Sequence, residues 1–450
     1  MDAALAAELD TVPDLTAFAT ADELAVEFDR LAEAYADACT LTRIGTSRLG
    51  EPLRCLTVGD GPRAAIVFAM PHPNEPVGGL TTIQLARRLC EDTALRQRTG
   101  YTWHIVPCID PDGMRLNEGW LHGPFTRTHY ARNFYRPAPD EQVDWTFPYA
   151  YKQAYFDRVM PETVALMRLI DTVRPAFLCS LHNGELGGVY YYVSTELPDL
   201  YPVLQEIPTH LGLPLDTGEP EAPYIERLAT AVYHTFSPTT AYDYAERHGL
   251  ELPSGGSGDT STGYSRRYGT LSLVSEVPYW TDPRVGDTSP SDTSYATALR
   301  RQAKAITHLS DLLTETMEAV APDLVSSSPY LRATRAFAPL IGRGATESAH
   351  RAGLPENDRP ATVAEEFSLD DFVHCFRLRY AGMLVRALDG EIGIGNSTPA
   401  IRERRAVLGE VYDAWCDEAE RASAAEPIPI RKLVATQYGA VLATATAGPQ

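Results

Sequence analysis

His72 and Glu75 stand three residues apart in the stretch MPHPNEPVGG (70–79), between an apolar run, AAIVFA, and a segment with the spacing of a helix. An imidazole and a carboxylate at that spacing suit a metal ion, although a lone His-x-x-Glu recurs by accident in long chains. His182 follows a second apolar run, AFLCSL, and completes a His₂Glu set. Such a set leaves zinc one open tetrahedral position for water, as hydrolytic sites require. Glu276 closes a third run, TLSLVS, and offers a carboxylate suited to act as the base for that water.

Groups that meet from distant stretches need a rigid frame, and the apolar runs supply one. AAIVFAM, TWHIVPCI (102–109), AFLCSL (176–181) and TLSLVSEV (270–277) read as buried strands. Between them, GGLTTIQLARRLCED after Pro76 and PETVALMRLIDTVRP (161–175) read as helices. Upstream, Leu24, Phe28, Leu31 and Tyr35 share one helical face, and TRIGTSRLGEPLRCLTVGDG reads as a hairpin. Strands alternating with helices predict an α/β fold with a mixed, largely parallel sheet covered on both faces. In open sheets of that kind, ligands bind at the carboxyl ends of strands, where His72, His182 and Glu276 fall.

After about residue 290 the pattern becomes helical. Ile306, Leu309, Leu313, Met317 and Val320 line one face of a long helix. SLDDFVHCFRLRYAGMLVRALDG opens with a Ser-x-x-Asp box at Ser368 and closes on Gly390. TPAIRERRAVLGEVYDAWCDEAERA starts on an N-cap threonine and a proline, and AEPIPIRKLVATQYG reads as an extended tail. The expected division is an α/β domain over 1–295 and a mainly helical region over 296–450 packed on it.

Of the 450 residues, 44% are hydrophobic and 22% charged, an ordinary globular composition. Lys and Arg number 39 against 60 Asp and Glu, and the net charge of −21 argues against a nucleic-acid partner. The seven cysteines are scattered, without a C-x-x-C pair, so neither a disulfide framework nor a thiolate metal site is expected. No run of about 18 apolar residues predicts a membrane span. MDAALAAELDTVPD lacks the basic start and apolar core of a signal peptide, so the expected location is cytoplasmic.

With these residues in hand, the chain resembles the zinc carboxypeptidase family, the M14 metallopeptidases, over roughly residues 20–290. HPNE resembles its metal-binding His-x-x-Glu, DPDG (110–113) its Asn-Pro-Asp-Gly turn and ARNF (131–134) its Asn-Arg-Asn-Phe/Trp segment. SLHN (180–183) carries the third ligand, SGGSGD (254–259) resembles the loop lining the side-chain pocket, and SEVPYW holds the catalytic glutamate. The resemblance implies that His72, Glu75 and His182 bind Zn²⁺ and that Glu276 is the general base. It further implies that Arg132, with Asn133 beside it, receives the substrate's terminal carboxylate. Arg115 and Arg127 both qualify for the oxyanion role, with Arg127 preferred for its distance from the DPDG turn. Gly258 and Asp259 fall at the side-chain pocket.

The departures concern substrate recognition. Ala131 replaces the asparagine that assists Arg132, and His129 replaces the aspartate that orients the first zinc histidine. Glu251 stands where a mobile tyrosine is expected, leaving Tyr244 or Tyr264 as substitutes. Gly258 gives the pocket neither a charge nor an apolar floor. A second His-x-x-Glu, His182 with Glu185, offers an acidic pocket residue, a competitor for Glu75 or a solvent-facing carboxylate. Three readings follow: a metallocarboxypeptidase acting on a peptide or amino-acid conjugate; an N-acyl amino acid deacylase of the succinylglutamate desuccinylase and aspartoacylase type; and a non-catalytic peptide-binding protein.

Overall fold

A computed structural model describes residues 1–253 and 255–447. Among the described residues, ten strands form one mixed sheet. In chain order they are β1 (Cys39–Thr46), β2 (Pro52–Val58), β3 (Arg63–Ala69), β4 (Tyr101–Val106), β5 (Phe177–Leu186), β6 (Tyr190–Val193), β7 (Arg227–Ala229), β8 (Val232–His234), β9 (Leu271–Thr281) and β10 (Glu426–Pro427). The spatial order is β1-β2-β4-β3-β5-β9-β6-β8-β7, with β10 antiparallel against β9. The centre, β4-β3-β5-β9, is parallel, and β1/β2, β2/β4 and β9/β6 are antiparallel.

The unbroken apolar character of the central strands follows from cover on both faces. Ile66 and Phe68 of β3 and Leu178 of β5 pack with Leu166 and Ile170 of the helix Pro161–Val173. The alternate residues, Ala65, Val67, Ala69, Cys179 and Leu181, join the larger core on the opposite face. Burial of each such Leu, Ile or Phe side chain stabilises the fold by roughly 1.5–3 kcal/mol. On that face lies α1 (Val77–Glu91), which follows the His-x-x-Glu turn directly. Its Gly78 explains the glycine pair in the motif: a Cβ there would sit 2.9 Å from the Leu181 Cβ and 3.0 Å from the Ala69 Cβ. The helix therefore lies close on the two strands that frame the site.

The C-terminal region supplies α2 (Tyr295–Val320), α3 (Pro329–Arg351), α4 (Val363–Phe376), α5 (Gly382–Gly393), α6 (Pro399–Ala422) and α7 (Ile430–Ala447). Ile306, Leu309, Leu313 and Val320 of α2 are buried as expected, with Met317 half-buried beside them. Thr398 and Pro399 begin α6 as N-cap and first residue. The Ser368 box is a correction: α4 starts earlier, on a capping box of Thr362 and Glu365, and Ser368 lies inside the helix. Nor does Gly390 end the helical run, which passes through a π-helical segment, Arg377–Ala381, and reaches Gly393. The expected extended tail is confined to β10, after which α7 packs against α1 and β9.

Candidate metal centre

β3 ends at Ala69, and Met70 takes a left-handed backbone (φ 56°) that turns the chain sharply off the sheet. The following turn is tight, with the Glu75 N–H donating to the His72 carbonyl at 3.1 Å. Prolines 71, 73 and 76 restrict its backbone, so the turn presents His72 and Glu75 with little freedom. The neighbouring strand β5 carries His182, and β9 carries Glu276 as the register partner of His182.

One nitrogen of each of His72 and His182 and one carboxylate oxygen of Glu75 lie within 4.8 Å of one another. The imidazole rings are 4.9 Å apart, centre to centre. Glu276 Oε1 stands 3.7 Å from His182 Nδ1. All four residues are buried, with exposures of 3 to 7%. His72 Nδ1 is buried without a hydrogen-bond partner among the described residues. Unmade hydrogen bonds of buried groups are costly, so an orphaned imidazole nitrogen facing a second imidazole and a carboxylate fits a cation. The N, N, O donor set is that of a hydrolytic zinc site.

Charge is managed tightly around this cluster. Burial, with the positive charge of Arg136, holds the His72 pKa well below its ordinary value, leaving the ring neutral and ready to ligate. For His182, burial acts in the same direction, but the Glu75 hydrogen bond and the charges of Glu276, Glu75 and Asp144 outweigh it and lift the pKa to about 9. Glu276 is raised well above the usual carboxyl range by burial and by Glu75, with His182 opposing.

Two further residues belong to the centre. Arg136 donates from Nη1 to Glu75 Oε1 at 3.0 Å and from Nε to Gln142 at 3.1 Å. Asp144 is 5% exposed; it accepts from the Ser261 N–H at 2.6 Å and from Ser180 Oγ at 3.3 Å, and lies 3.9 Å from His182 Nε2. Ser180 Oγ is itself 2.8 Å from that nitrogen. A carboxylate behind a ligating histidine fixes the ring, and here that support reaches His182 rather than His72. Trp145, next in sequence, meets the His72 ring edge-on at 5.3 Å. Neither Arg136 nor Asp144 carries a local sequence signal; both lie in the irregular stretch after ARNF.

The remaining expected site residues divide. Arg127, the first residue of the helix Arg127–Asn133, is 4% exposed and its Nη1 lies 2.8 Å from Asp371 of α4. Arg132, on the same helix, is turned to the surface, where it pairs with Asp413 of α6 at 2.8 Å and lies over the Tyr412 ring. Arg115 is committed to Asp22 and Glu51, and Asn133 donates to the His129 carbonyl. His129 lies near the Gly119 carbonyl at 3.2 Å and so does not take over the missing aspartate's role. Tyr264 donates to Asp171 at 2.8 Å within the core on the other side of the sheet, and the Tyr244 ring lies tilted against His248 at 4.4 Å. Neither hydroxyl is brought to the four-residue cluster.

In the segment 254–259, Ser254 lies outside the described residues. Gly258 donates to the Trp145 carbonyl at 2.6 Å, and a side chain there would collide with the Phe147 carbonyl. Its glycine therefore answers a close backbone approach. Asp259 accepts from the Thr260 N–H at 2.8 Å. Glu185 does not compete with Glu75: it pairs with Arg379 of the π-helical segment and accepts from Cys375 Sγ at 3.2 Å. The C-terminal region thus puts a guanidinium beside β5, the strand that carries His182. Arg379 spends only Nε on Glu185, and its two terminal nitrogens make no hydrogen bond among the described residues.

The zinc carboxypeptidase family profile matches residues 25–267. Carboxypeptidase Z of Mus musculus is 28% identical over 149 residues, covering 28% of this chain and 23% of that protein. The chain therefore spans about a quarter of the length of the curated relatives it matches. Among solved structures, carboxypeptidase A from Helicoverpa armigera is 12% identical, with 78% of this chain and 79% of that chain covered at a TM-score of 0.40. A metallo-carboxypeptidase from Burkholderia cenocepacia is 18% identical, with 58% and 60% covered at a TM-score of 0.36. With a family match over more than half its length, the chain belongs to the zinc carboxypeptidase family.

Proposed function

We propose that the chain is a zinc-dependent hydrolase that releases the C-terminal residue from a peptide or amino-acid conjugate. The observation that carries this reading is the convergence of His72, Glu75 and His182 within 4.8 Å, with Glu276 alongside. These three side chains would hold the ion; zinc, when bound, supplies the Lewis acidity that acidifies a water and polarises the scissile carbonyl.

The chain's own groups do the rest. Glu276, 3.7 Å from His182 and on the neighbouring strand, accepts the proton of the attacking water and returns it to the leaving amine. Arg136, fixed through Nε and Nη1, keeps Nη2 without a partner among the described residues and shares the charge developing on the carbonyl oxygen. The substrate's terminal carboxylate goes to the two open nitrogens of Arg379, since Arg132 is spent on the surface. A guanidinium end with two free nitrogens matches a carboxylate in bidentate fashion.

The depth of the cluster favours short substrates, which keeps the N-acyl amino acid deacylase as a second reading. Incubating the zinc-loaded protein with blocked peptides and with acylated amino acids separates the two. Free C-terminal residues released from peptides support the first; cleavage confined to acylated amino acids supports the second. No helix among the described residues is long and apolar enough to cross a membrane, and seven unpaired cysteines suit a reducing cytoplasmic compartment.

A further inference from the structure

We propose a second ligand site, in the C-terminal region, that binds a free α-amino acid. A cavity of about 410 Å³ opens between α2, α4 and the end of α6 and shares no residue with the four-residue metal centre. Its volume falls in the range of small-molecule sites, roughly 300–1,000 Å³. His374 and Arg377, one helical turn apart, both line it.

Each of these residues keeps a buried nitrogen unpaired. His374 Nδ1 and Arg377 Nε have no hydrogen-bond partner among the described residues. Arg377 reaches Glu418 only through Nη1, at 3.4 Å to both oxygens, while its ring-side contact is Trp415. Nη2 makes no hydrogen bond among the described residues and the buried Nε beside it lacks a partner too, so the side-on edge of the guanidinium is unsatisfied, and such an edge matches a carboxylate in two parallel hydrogen bonds. The other two arginines on the cavity wall are already committed, Arg284 to Asp282 and Arg301 to Asp370. Among the described residues of the wall, Arg377 is the guanidinium with two unpartnered nitrogens.

The charge balance narrows the ligand class. Three guanidinium groups on the wall face three carboxylates, those of Asp370, Asp371 and Glu418, so the cavity has no excess of positive charge for a phosphate. Asp370 and Asp371 are held by Arg301 and Arg127, which leaves Glu418 loosely engaged beside Arg377. A neighbouring carboxylate and guanidinium complement the ammonium and carboxylate borne on one carbon of an amino acid. Phe367 and Val373 offer an apolar wall to its side chain.

Calorimetric titration of the full chain with L-leucine, with and without a chelator, tests the site, with acetate, methylammonium and inorganic phosphate as controls. Leucine is expected to bind equally well after metal removal, and Arg377→Gln to weaken it at least about tenfold. Because Arg377 also stacks on Trp415, Ala422→Trp at the exposed rim provides an independent block and is expected to abolish binding. The proposal is overturned if leucine fails to bind at about 10 mM, a concentration that would detect even millimolar affinity. It is equally overturned if neither variant weakens binding, if the chelator abolishes it, or if acetate or phosphate binds as tightly as leucine.

Discussion

Glu276 and His182 are register partners on adjacent parallel strands, which brings Oε1 of the first to 3.7 Å from Nδ1 of the second. The proposed base and the proposed ligand are thus fixed relative to each other by backbone hydrogen bonds, not by loops. Shortening the side chain by one methylene should therefore withdraw the carboxylate from a frame that cannot follow it. Glu276→Asp is expected to keep bound zinc and to lose about 10²-fold in kcat, as a misplacement near 1 Å does. Steady-state kinetics with metal analysis on the same sample checks both halves.

Asp144 supports the opposite edge of His182 through Ser180, its own oxygen lying 3.9 Å from Nε2. Asp144→Ala should lower zinc affinity by roughly 10- to 100-fold while leaving the fold intact. Competition with a chromophoric chelator reads that affinity. An affinity equal to wild type would remove Asp144 from the account.

The parts of the site visible in the sequence were those set by local pattern. Strand ends follow from apolar runs, and a His-x-x-Glu turn after such a run points to a ligand pair because its two members share one tight turn. Arg136 lies in irregular backbone and Asp144 in a three-residue 3₁₀ turn, too short for any periodicity to mark which side chain turns inward. Arg379 escaped for a different reason: it meets Glu185 across 194 residues of chain, and no spacing rule links them. Ser368 has the residue type of a cap, but it lies inside a helix that Thr362 and Glu365 have already begun. Gly390 does not end the helix, which reaches Gly393, and Gly382 within the same run serves close packing, since a Cβ there would lie 2.7 Å from the Tyr412 hydroxyl.

Arg379 and Arg132 make opposite predictions. Arg132 pairs at the surface with Asp413, where both side chains are at least half exposed, and such pairs contribute about 0–1 kcal/mol. Arg132→Ala should leave KM unchanged within about twofold. Removing Arg379 outright would strand the buried Glu185, so Arg379→Lys is the fairer test. It should raise KM at least about tenfold and erase the preference for a free carboxylate over a C-terminal amide. Paired kinetics on acid and amide forms of one substrate measure this.

Asp110 gives a pH signature independent of the metal. It is buried, with Oδ1 accepting from the Gly113 N–H at 2.9 Å and Oδ2 unpartnered among the described residues. Burial lifts its pKa from 3.8 to about 7. The folded value lies above the unfolded one, so this stability is fully present below about pH 4 and lost as pH rises through about 7. The shift is equivalent to up to about 4 kcal/mol. Asp110→Asn keeps the acceptor oxygen and should flatten the decline, as urea denaturation across this range would register.

The most direct test measures zinc content and peptide turnover together, in the wild-type chain, in His182→Ala and in Glu276→Gln. The wild type should bind one zinc and release C-terminal residues, His182→Ala should lose both, and Glu276→Gln should keep the zinc while turnover falls by about 10²–10⁴-fold. A Glu276→Gln protein that turns over as fast as wild type, or a His182→Ala protein that still binds stoichiometric zinc, would contradict the account.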